Sequence, residues 1–306
     1  MFDVLIQMAA LIACGVLWRA VTPGGVSVDS LRTALTSLVY YLLLPALVLL
    51  VLWQAPLGLE SLKISAAAVV GILISLLVAW LCYRRFDNAA FIGAAILAAG
   101  FPNATYLGLP VLEATFGEWA RGTAIQFDLF ASTPLLLTAG ILIARHYRSG
   151  EMGGNENPFV TLLKVPPIWA AMAAVVLNVM QVPIAPAVAN FLDTLGHGVV
   201  TLMLISLGMS LRWDTLRLKR IPAMVPVLAI QLMVMPLVVW GMGSLLGFSG
   251  DHLTALVLEG AMPCMVLGMV ICDRYGLDTA MFAAMVTLST VLSMLTLPFW
   301  FSLLGV

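Results

Sequence analysis

Two prolines interrupt apolar stretches at corresponding places in the two halves of the chain. Pro102 is followed by Asn103, and Pro263 is followed by Cys264. Proline inside a helix removes one backbone hydrogen bond and clashes with the preceding turn, which leaves a carbonyl that hydrocarbon cannot satisfy. Such a break is tolerated in a membrane where it faces protein or a water-filled cavity, and paired breaks in two halves indicate a midplane binding site. Each proline alone is also compatible with a simple kink.

The residues around these prolines suit an anion. An unwound segment offers free carbonyls on one side and the N-terminus of the next half-helix on the other, and those N–H groups carry a dipole of about +0.5 charge. We therefore predict that a small organic anion binds to the residues at the two proline breaks. The predicted binding residues are Pro102, Asn103, Ala104, Thr105, Tyr106, Pro263, Cys264 and Met265.

Two acidic residues lie deep within apolar stretches, where an ionised side chain costs at least about 2.5–3.5 kcal/mol. Asp128 lies near Ser132, and Glu259 lies one turn before the second proline. We expect Asp128, Ser132 and Glu259 to converge with Asn103 beside the breaks and to hold a coupling ion. Oxygen ligands suit Na⁺, and a desolvated carboxylate suits a proton. The sequence leaves both ions open, as well as a plain buried hydrogen bond for each acid.

The composition is that of an integral membrane protein. The 306 residues are 62% hydrophobic and 9% charged, whereas soluble domains carry about 25% charged residues. The net charge of −1 and the lack of a basic stripe argue against a nucleic-acid partner. Cys14, Cys82, Cys264 and Cys272 show neither CxxC spacing nor nearby histidines, so we predict no metal, no disulfide and no cofactor beyond the coupling ion.

About ten apolar stretches are long enough to cross roughly 30 Å of hydrocarbon. They cover residues 3–20, 32–53, 63–83, 89–114, 122–145, 160–180, 189–211, 220–246, 252–273 and 279–303. This pattern predicts an all-α integral membrane fold with ten transmembrane spans, of which the fourth and the ninth are broken and cross.

The basic residues predict the orientation of these spans. Of the 14 lysines and arginines, only Lys63 and Arg121 fall on one side of the membrane, so the other side is cytoplasmic. We therefore predict a multi-pass protein of the cytoplasmic (inner) membrane with both termini outside. The longest polar connection, 149–158, comes after five spans on the cytoplasmic side. The five-span repeats 1–148 and 159–306 then begin on opposite sides and form an inverted 5+5 repeat.

Sequence echoes between the two halves support this duplication. The fourth span reads GFPNATYLGLPVLEATFG and the ninth reads AMPCMVLGMVICDRYG. Their alignment matches Pro102 with Pro263, Gly108 with Gly268, and Gly117 with Gly276. Chance similarity between apolar segments is the alternative, and the in-order placement of proline and two glycines argues against it.

The run from Pro102 to Gly117 resembles the fourth-helix signature of the auxin efflux carrier family, which includes the plant PIN-type carriers and bacterial organic-acid permeases. The run from Ala261 to Gly276 is similar to that family's ninth helix. The resemblance covers nearly the whole chain. The short connection 149–158 is typical of a prokaryotic-type permease, and Glu259 stands where plant carriers tend to have an uncharged polar residue.

The resemblance implies a fold shared with bile acid sodium symporters. It implies a scaffold of spans 1, 2, 6 and 7, a transport domain of spans 3 to 5 and 8 to 10, elevator-like movement, and commonly a homodimer. In the symporter branch an acid placed similarly to Glu259 binds Na⁺. A secondary transporter of a small organic anion is expected, with a Na⁺-coupled symporter as the alternative. No HExxH or GxGD motif supports an intramembrane enzyme, so none is expected, and a sensor without flux is a further alternative.

Overall fold

The computed structural model describes residues 2–55, 57–148, 160, 163–216 and 218–305, and in these ranges the secondary structure is helical. The helices are α1 Phe2–Val21, α2 Val28–Gln54, α3 Leu59–Tyr83, α4 Ala89–Gly100, α5 Leu109–Phe116, α6 Ala120–His146, α7 Pro166–Val179, α8 Pro186–Ser210, α9 Ile221–Leu245, α10 Gly250–Gly260, α11 Gly268–Arg274 and α12 Thr279–Leu303. The all-α prediction is therefore confirmed. The predicted connection 149–158 lies outside the described residues.

Seven helices of the described chain are long and apolar enough to cross a membrane, namely α1, α2, α3, α6, α8, α9 and α12. The fourth and ninth predicted spans are each divided by a break, so α4, α5, α10 and α11 are shorter than a bilayer requires. Helix α7, with 14 residues, covers part of the sixth. The chain is an integral membrane protein, while the count of ten spans and the 5+5 repeat stay predictions.

Proline accounts for four of the widened π turns in these helices. The turns Val39–Leu43, Ala104–Gly108, Asp128–Ser132 and Ile230–Val234 are followed by Pro45, Pro110, Pro134 and Pro236, always two residues later. A wider turn relieves the clash between the proline ring and the carbonyl four residues before it. The Leu232 carbonyl, four residues before Pro236, accepts a hydrogen bond of 2.9 Å from Trp300 Nε1.

Buried apolar side chains form two main clusters. The first draws mainly on α3, α4, α6, α9, α11 and α12. The second joins α1, α2, α7 and α8 to parts of α5, α6, α10 and α12. Helix α1 packs along α8, and α7 packs along α2. Helices α1, α2, α7 and α8 therefore pack against one another within the second cluster.

Two glycines let α1 and α8 touch. A Cβ added at Gly15 would lie 2.9 Å from the Gly208 Cα, and a Cβ added at Gly208 would lie 3.0 Å from the Gly15 Cα. Both hypothetical atoms also meet backbone carbonyls of the facing helix. Small residues at such contacts allow close packing of membrane helices.

Gly15→Ala and Gly208→Ala are each expected to destabilise the protein by about 1–3 kcal/mol, because the facing backbone must move. The drop in Tm of the detergent-purified protein measures this effect. Gly241→Ala in α9 is the matched control, since a Cβ there meets no atom of the described residues within 4 Å. Equal Tm values for the three variants would contradict the close contact.

Candidate functional site

The two breaks cross and pair with each other as short extended segments. The Asn103 N–H donates to the Pro263 carbonyl at 2.8 Å, and the Met265 N–H donates to the Phe101 carbonyl at 2.9 Å. Pro102 and Cys264 thereby form an antiparallel bridge. Each break supplies one donor and one acceptor to the other, which satisfies backbone groups that hydrocarbon would leave unpaired. Neither proline is therefore a simple kink.

Two buried polar side chains hold the second break in place. Gln231 of α9 donates from Nε2 to the Met262 carbonyl at 2.9 Å. Ser289 of α12 accepts the Cys264 N–H at 3.1 Å. Sequence reasoning missed both residues. The signal that could have found Gln231 is a single amide inside the apolar α9, since such a group is retained in a membrane helix when it has a partner.

The Asn103 side chain lies in the first break and is a buried polar group. It is fully buried, and neither its Oδ1 nor its Nδ2 has a hydrogen-bond partner in the described structure. A buried polar group without a partner costs about 1–3 kcal/mol, and native structures contain few of them. The chain continues directly into the turn Ala104–Gly108, in which Ala104 and Thr105 are buried and Tyr106 is partly exposed.

Asp128 is attached to this turn by a hydrogen bond. The Thr105 hydroxyl donates to Asp128 Oδ2, and the Thr133 hydroxyl donates to Asp128 Oδ1 at 2.9 Å. Ser132 belongs to the π turn that begins at Asp128, and this turn packs against Ala104–Gly108. The Ser132 Oγ is buried and has no hydrogen-bond partner in the part of the chain that the structure describes.

Glu259 approaches the same turn from α10. It is fully buried, and neither carboxylate oxygen has a hydrogen-bond partner among the described residues. A Cβ added at Gly108 would stand 2.6 Å from Glu259 Oε1, so this glycine leaves the space that the carboxylate fills. Asp128 and Glu259 thus contact the turn Ala104–Gly108 through Thr105 and through Gly108. The structure places the predicted acids beside the breaks, and their role as an ion site stays a prediction.

Two cavities lie near opposite ends of the helices, and we name them by the predicted orientation. The outer cavity has a volume of 490 Å³, and its lining includes Gln54, Ser61, Arg121, Thr123, Gln126, Asn190 and Asp193. The inner cavity has a volume of 350 Å³, and its lining includes Arg32, Thr36, Tyr106, Ser206, Arg212, Val266, Leu267 and Asp273. The inner cavity therefore touches both breaks, whereas the outer cavity reaches α6 at Gln126, two residues before Asp128.

Arg121 of the outer cavity is neutralised by carboxylates that the sequence did not connect with it. Its side chain is only 7% exposed and donates to Glu113 Oε1 at 2.5 Å. Carboxylate oxygens of Glu118 and Asp193 lie 3.9 and 3.8 Å from its Nη1. Glu118 is three residues from Arg121 in the chain, whereas Glu113 lies on α5 and Asp193 on α8, so tertiary packing brings these two carboxylates to Arg121. The ion pair with Asp193 links α6 to α8 at the outer end.

An apolar helical bundle in which two interrupted helices meet between cavities at opposite ends is the arrangement of a membrane transporter. The comparison with known families makes the assignment specific. The chain matches the family described as "Membrane transport protein" over residues 2–152 and 155–301, and it belongs to that family. The resemblance to the auxin efflux carriers is thereby confirmed.

Individual relatives agree with this assignment. The chain is 30% identical over 221 residues to an uncharacterized transporter of Methanothermobacter thermautotrophicus, covering 72% of this chain and 70% of that protein. It is 24% identical over 277 residues to the uncharacterized transporter MJ1031 of Methanocaldococcus jannaschii, covering 87% of each chain. It is 23% identical over 223 residues to the uncharacterized transporter YfdV of Escherichia coli, covering 72% of this chain and 70% of that protein. Their names state transport and no substrate.

Proposed function

We propose that this membrane transporter carries a small organic anion, a carboxylate or an auxin-like acid, across the cytoplasmic membrane as a secondary active or facilitative carrier. The observation that supports this most directly is the buried, unpartnered amide of Asn103 at the paired breaks. Its Nδ2 can donate to a carboxylate, and the turn beginning at Ala104 adds N–H groups at a helix N-terminus. Hydrogen bonds from such donors to a charged oxygen are short and strong.

We further propose an elevator-type movement. The scaffold would consist of α1, α2, α7 and α8, and the transport domain of α3 to α6 and α9 to α12, in a ten-span inverted repeat that assembles as a homodimer. The first apolar cluster supports this division, because it draws almost entirely on the transport domain. Both cavities are lined by residues of both parts. Movement of the transport domain along the scaffold would then expose the breaks to one cavity and later to the other.

A coupling ion is the second part of the proposal. Glu259 has two buried oxygens without partners among the described residues, and Asp128 and Ser132 lie at the same turn. An isolated buried carboxylate is retained where it binds a cation or a proton. Na⁺ at this place would make the protein a Na⁺-coupled symporter, which is the alternative to proton coupling or to passive transport.

A stability screen followed by flux measurement tests the proposed function. A ligand at 100 times its Kd raises the free energy of unfolding by about 2.7 kcal/mol. The purified protein is heated with mono- and dicarboxylates and with indole-3-acetate, with and without Na⁺ and at two pH values. We expect at least one acid to raise Tm and the same acid to enter proteoliposomes, while its neutral amide does neither. Stabilisation without flux would indicate a sensor, and no effect of any acid would refute anion transport.

A further inference from the structure

The inner cavity contains two arginine side chains that the proposed site at the breaks does not use. We propose that Arg32 and Arg212 form a subsite for a second anionic group, so that the preferred substrate is a dicarboxylate rather than a monocarboxylate. This inference rests on the proposed function and specifies its substrate class. It is supported by the position of one carboxylate, by an unpartnered guanidinium nitrogen and by the cavity that connects both to the breaks.

A carboxylate of the protein itself already lies between the two arginines. Asp29 Oδ1 is 4.0 Å from Arg32 Nε and 3.7 Å from Arg212 Nη2. The two nitrogens are therefore at most about 8 Å apart, a spacing that one carboxylate group can bridge when each N–H···O bond is about 2.7–2.9 Å. Asp29 marks the place that an anion would take.

Asp29 does not saturate the donors of these arginines. Both distances exceed hydrogen-bond length, and Asp29 is 65% exposed. The Arg32 Nε is buried and has no hydrogen-bond partner in the described structure. A guanidinium nitrogen without a partner is costly to bury, and the planar fork of arginine suits a carboxylate. A substrate carboxylate that displaces Asp29 can supply the missing hydrogen bonds.

The cavity places this subsite within reach of the breaks. Arg32, Arg212 and Tyr106 line the same 350 Å³ space, together with Val266 and Leu267 of the second break. Tyr106 lies three residues after Asn103 in the turn that the proposed carboxylate site uses. Ligand pockets of small molecules have volumes of about 300–1,000 Å³. In this proposal one substrate molecule has one carboxylate at the breaks and its second carboxylate at the arginines.

Nearby carboxylates offset the positive charge of the two arginines, so the net charge of this region does not by itself attract an anion. Asp273 also lines the cavity, so this region holds two arginines and, with Asp29, two carboxylates. The hydroxyls of Thr36 and Ser206, 3.0 Å apart, add polar groups to the same wall. Discrimination must then come from the directed bonds of the guanidinium groups. A monocarboxylate bound at the breaks has no second carboxylate to displace Asp29 and gains nothing from these bonds.

The test compares diacids and monoacids of equal carbon number, from three to six carbons, in the full-length protein at neutral pH. Arg32→Gln and Arg212→Gln are each expected to weaken binding of the preferred diacid at least about tenfold, because a charge-assisted hydrogen bond is lost. Binding of the matched monoacid should change less than about threefold. Asp29→Asn should tighten diacid binding, and Arg85→Gln, an exposed arginine outside the cavity, is the matched control.

The outcomes separate this inference from the proposed function. Equal weakening of diacid and monoacid binding by the arginine variants, or no weakening, overturns the subsite while transport of an anion stands. A wild-type protein that binds and carries no acid refutes the proposed function itself. Arg32→Lys keeps the charge without the fork, so an intermediate loss of diacid affinity in this folded variant supports the subsite. Unchanged diacid affinity in both Asp29→Asn and Arg32→Lys contradicts it.

Discussion

Asn103→Ala is expected to reduce transport at least about tenfold without lowering the stability of the protein. The Asn103 amide makes no hydrogen bond in the described structure, so its removal costs the fold no partner. The backbone N–H of the same residue, which donates to Pro263, remains in the variant. The proposed substrate, in contrast, loses the donor that the site places at the paired breaks.

Asn178→Ala provides the matched control, because the side-chain Nδ2 of this asparagine makes hydrogen bonds within the protein. Its Nδ2 donates to the carbonyls of Leu52, Trp53 and Ala55 at 3.1, 2.8 and 2.7 Å and so closes the C-terminal end of α2. Its removal should lower the free energy of unfolding by about 1–3 kcal/mol and leave the transport mechanism intact. Tm in detergent and uptake into proteoliposomes separate the two variants. Full transport by Asn103→Ala, or a loss of Tm as large as that of Asn178→Ala, would contradict the role of Asn103.

The helices could be predicted because a helix that crosses the membrane needs a long apolar stretch of sequence. The stretch 279–303, for example, corresponds to α12 Thr279–Leu303, and 220–246 corresponds to α9 Ile221–Leu245. The breaks were predictable because proline cannot continue a helix without consequence. Pro102 and Pro263 thus located the two crossing segments, and the depth of Asp128 and Glu259 in apolar sequence placed both acids near them.

The contacts that complete the site were not predictable from the sequence. The Asn103 N–H and the Pro263 carbonyl are 160 residues apart along the chain, and their pairing depends on the packing of several helices. The sequence around Glu259 and Gly108 does not indicate their contact, since glycines are common in membrane helices. The prolines that widen α2, α6 and α9 into π turns were visible, but apolar periodicity gives no sign of a wider turn.

Glu259→Gln is expected to abolish the response of transport to an imposed ion gradient while exchange of the anion across the membrane continues. Glutamine has nearly the shape of glutamate but carries no charge. It therefore mimics the protonated acid and cannot hold a cation by its charge. The variant should be at least as stable as the wild type, because a buried carboxylate without partners is replaced by a neutral group. Accumulation in proteoliposomes is measured with a Na⁺ gradient, with a pH gradient, and with neither.

Gly108→Ala tests the same carboxylate from the other side. Its added Cβ would stand 2.6 Å from Glu259 Oε1, so the acid must move and the coupling response should fall as it does in Glu259→Gln. Asp128→Asn is the informative comparison, because Asp128 accepts two hydroxyl hydrogen bonds that Glu259 lacks. If gradient-driven accumulation survives in Glu259→Gln but not in Asp128→Asn, the coupling ion belongs to Asp128. If exchange and accumulation fail together in Glu259→Gln, the carboxylate is needed for the movement itself and not for coupling.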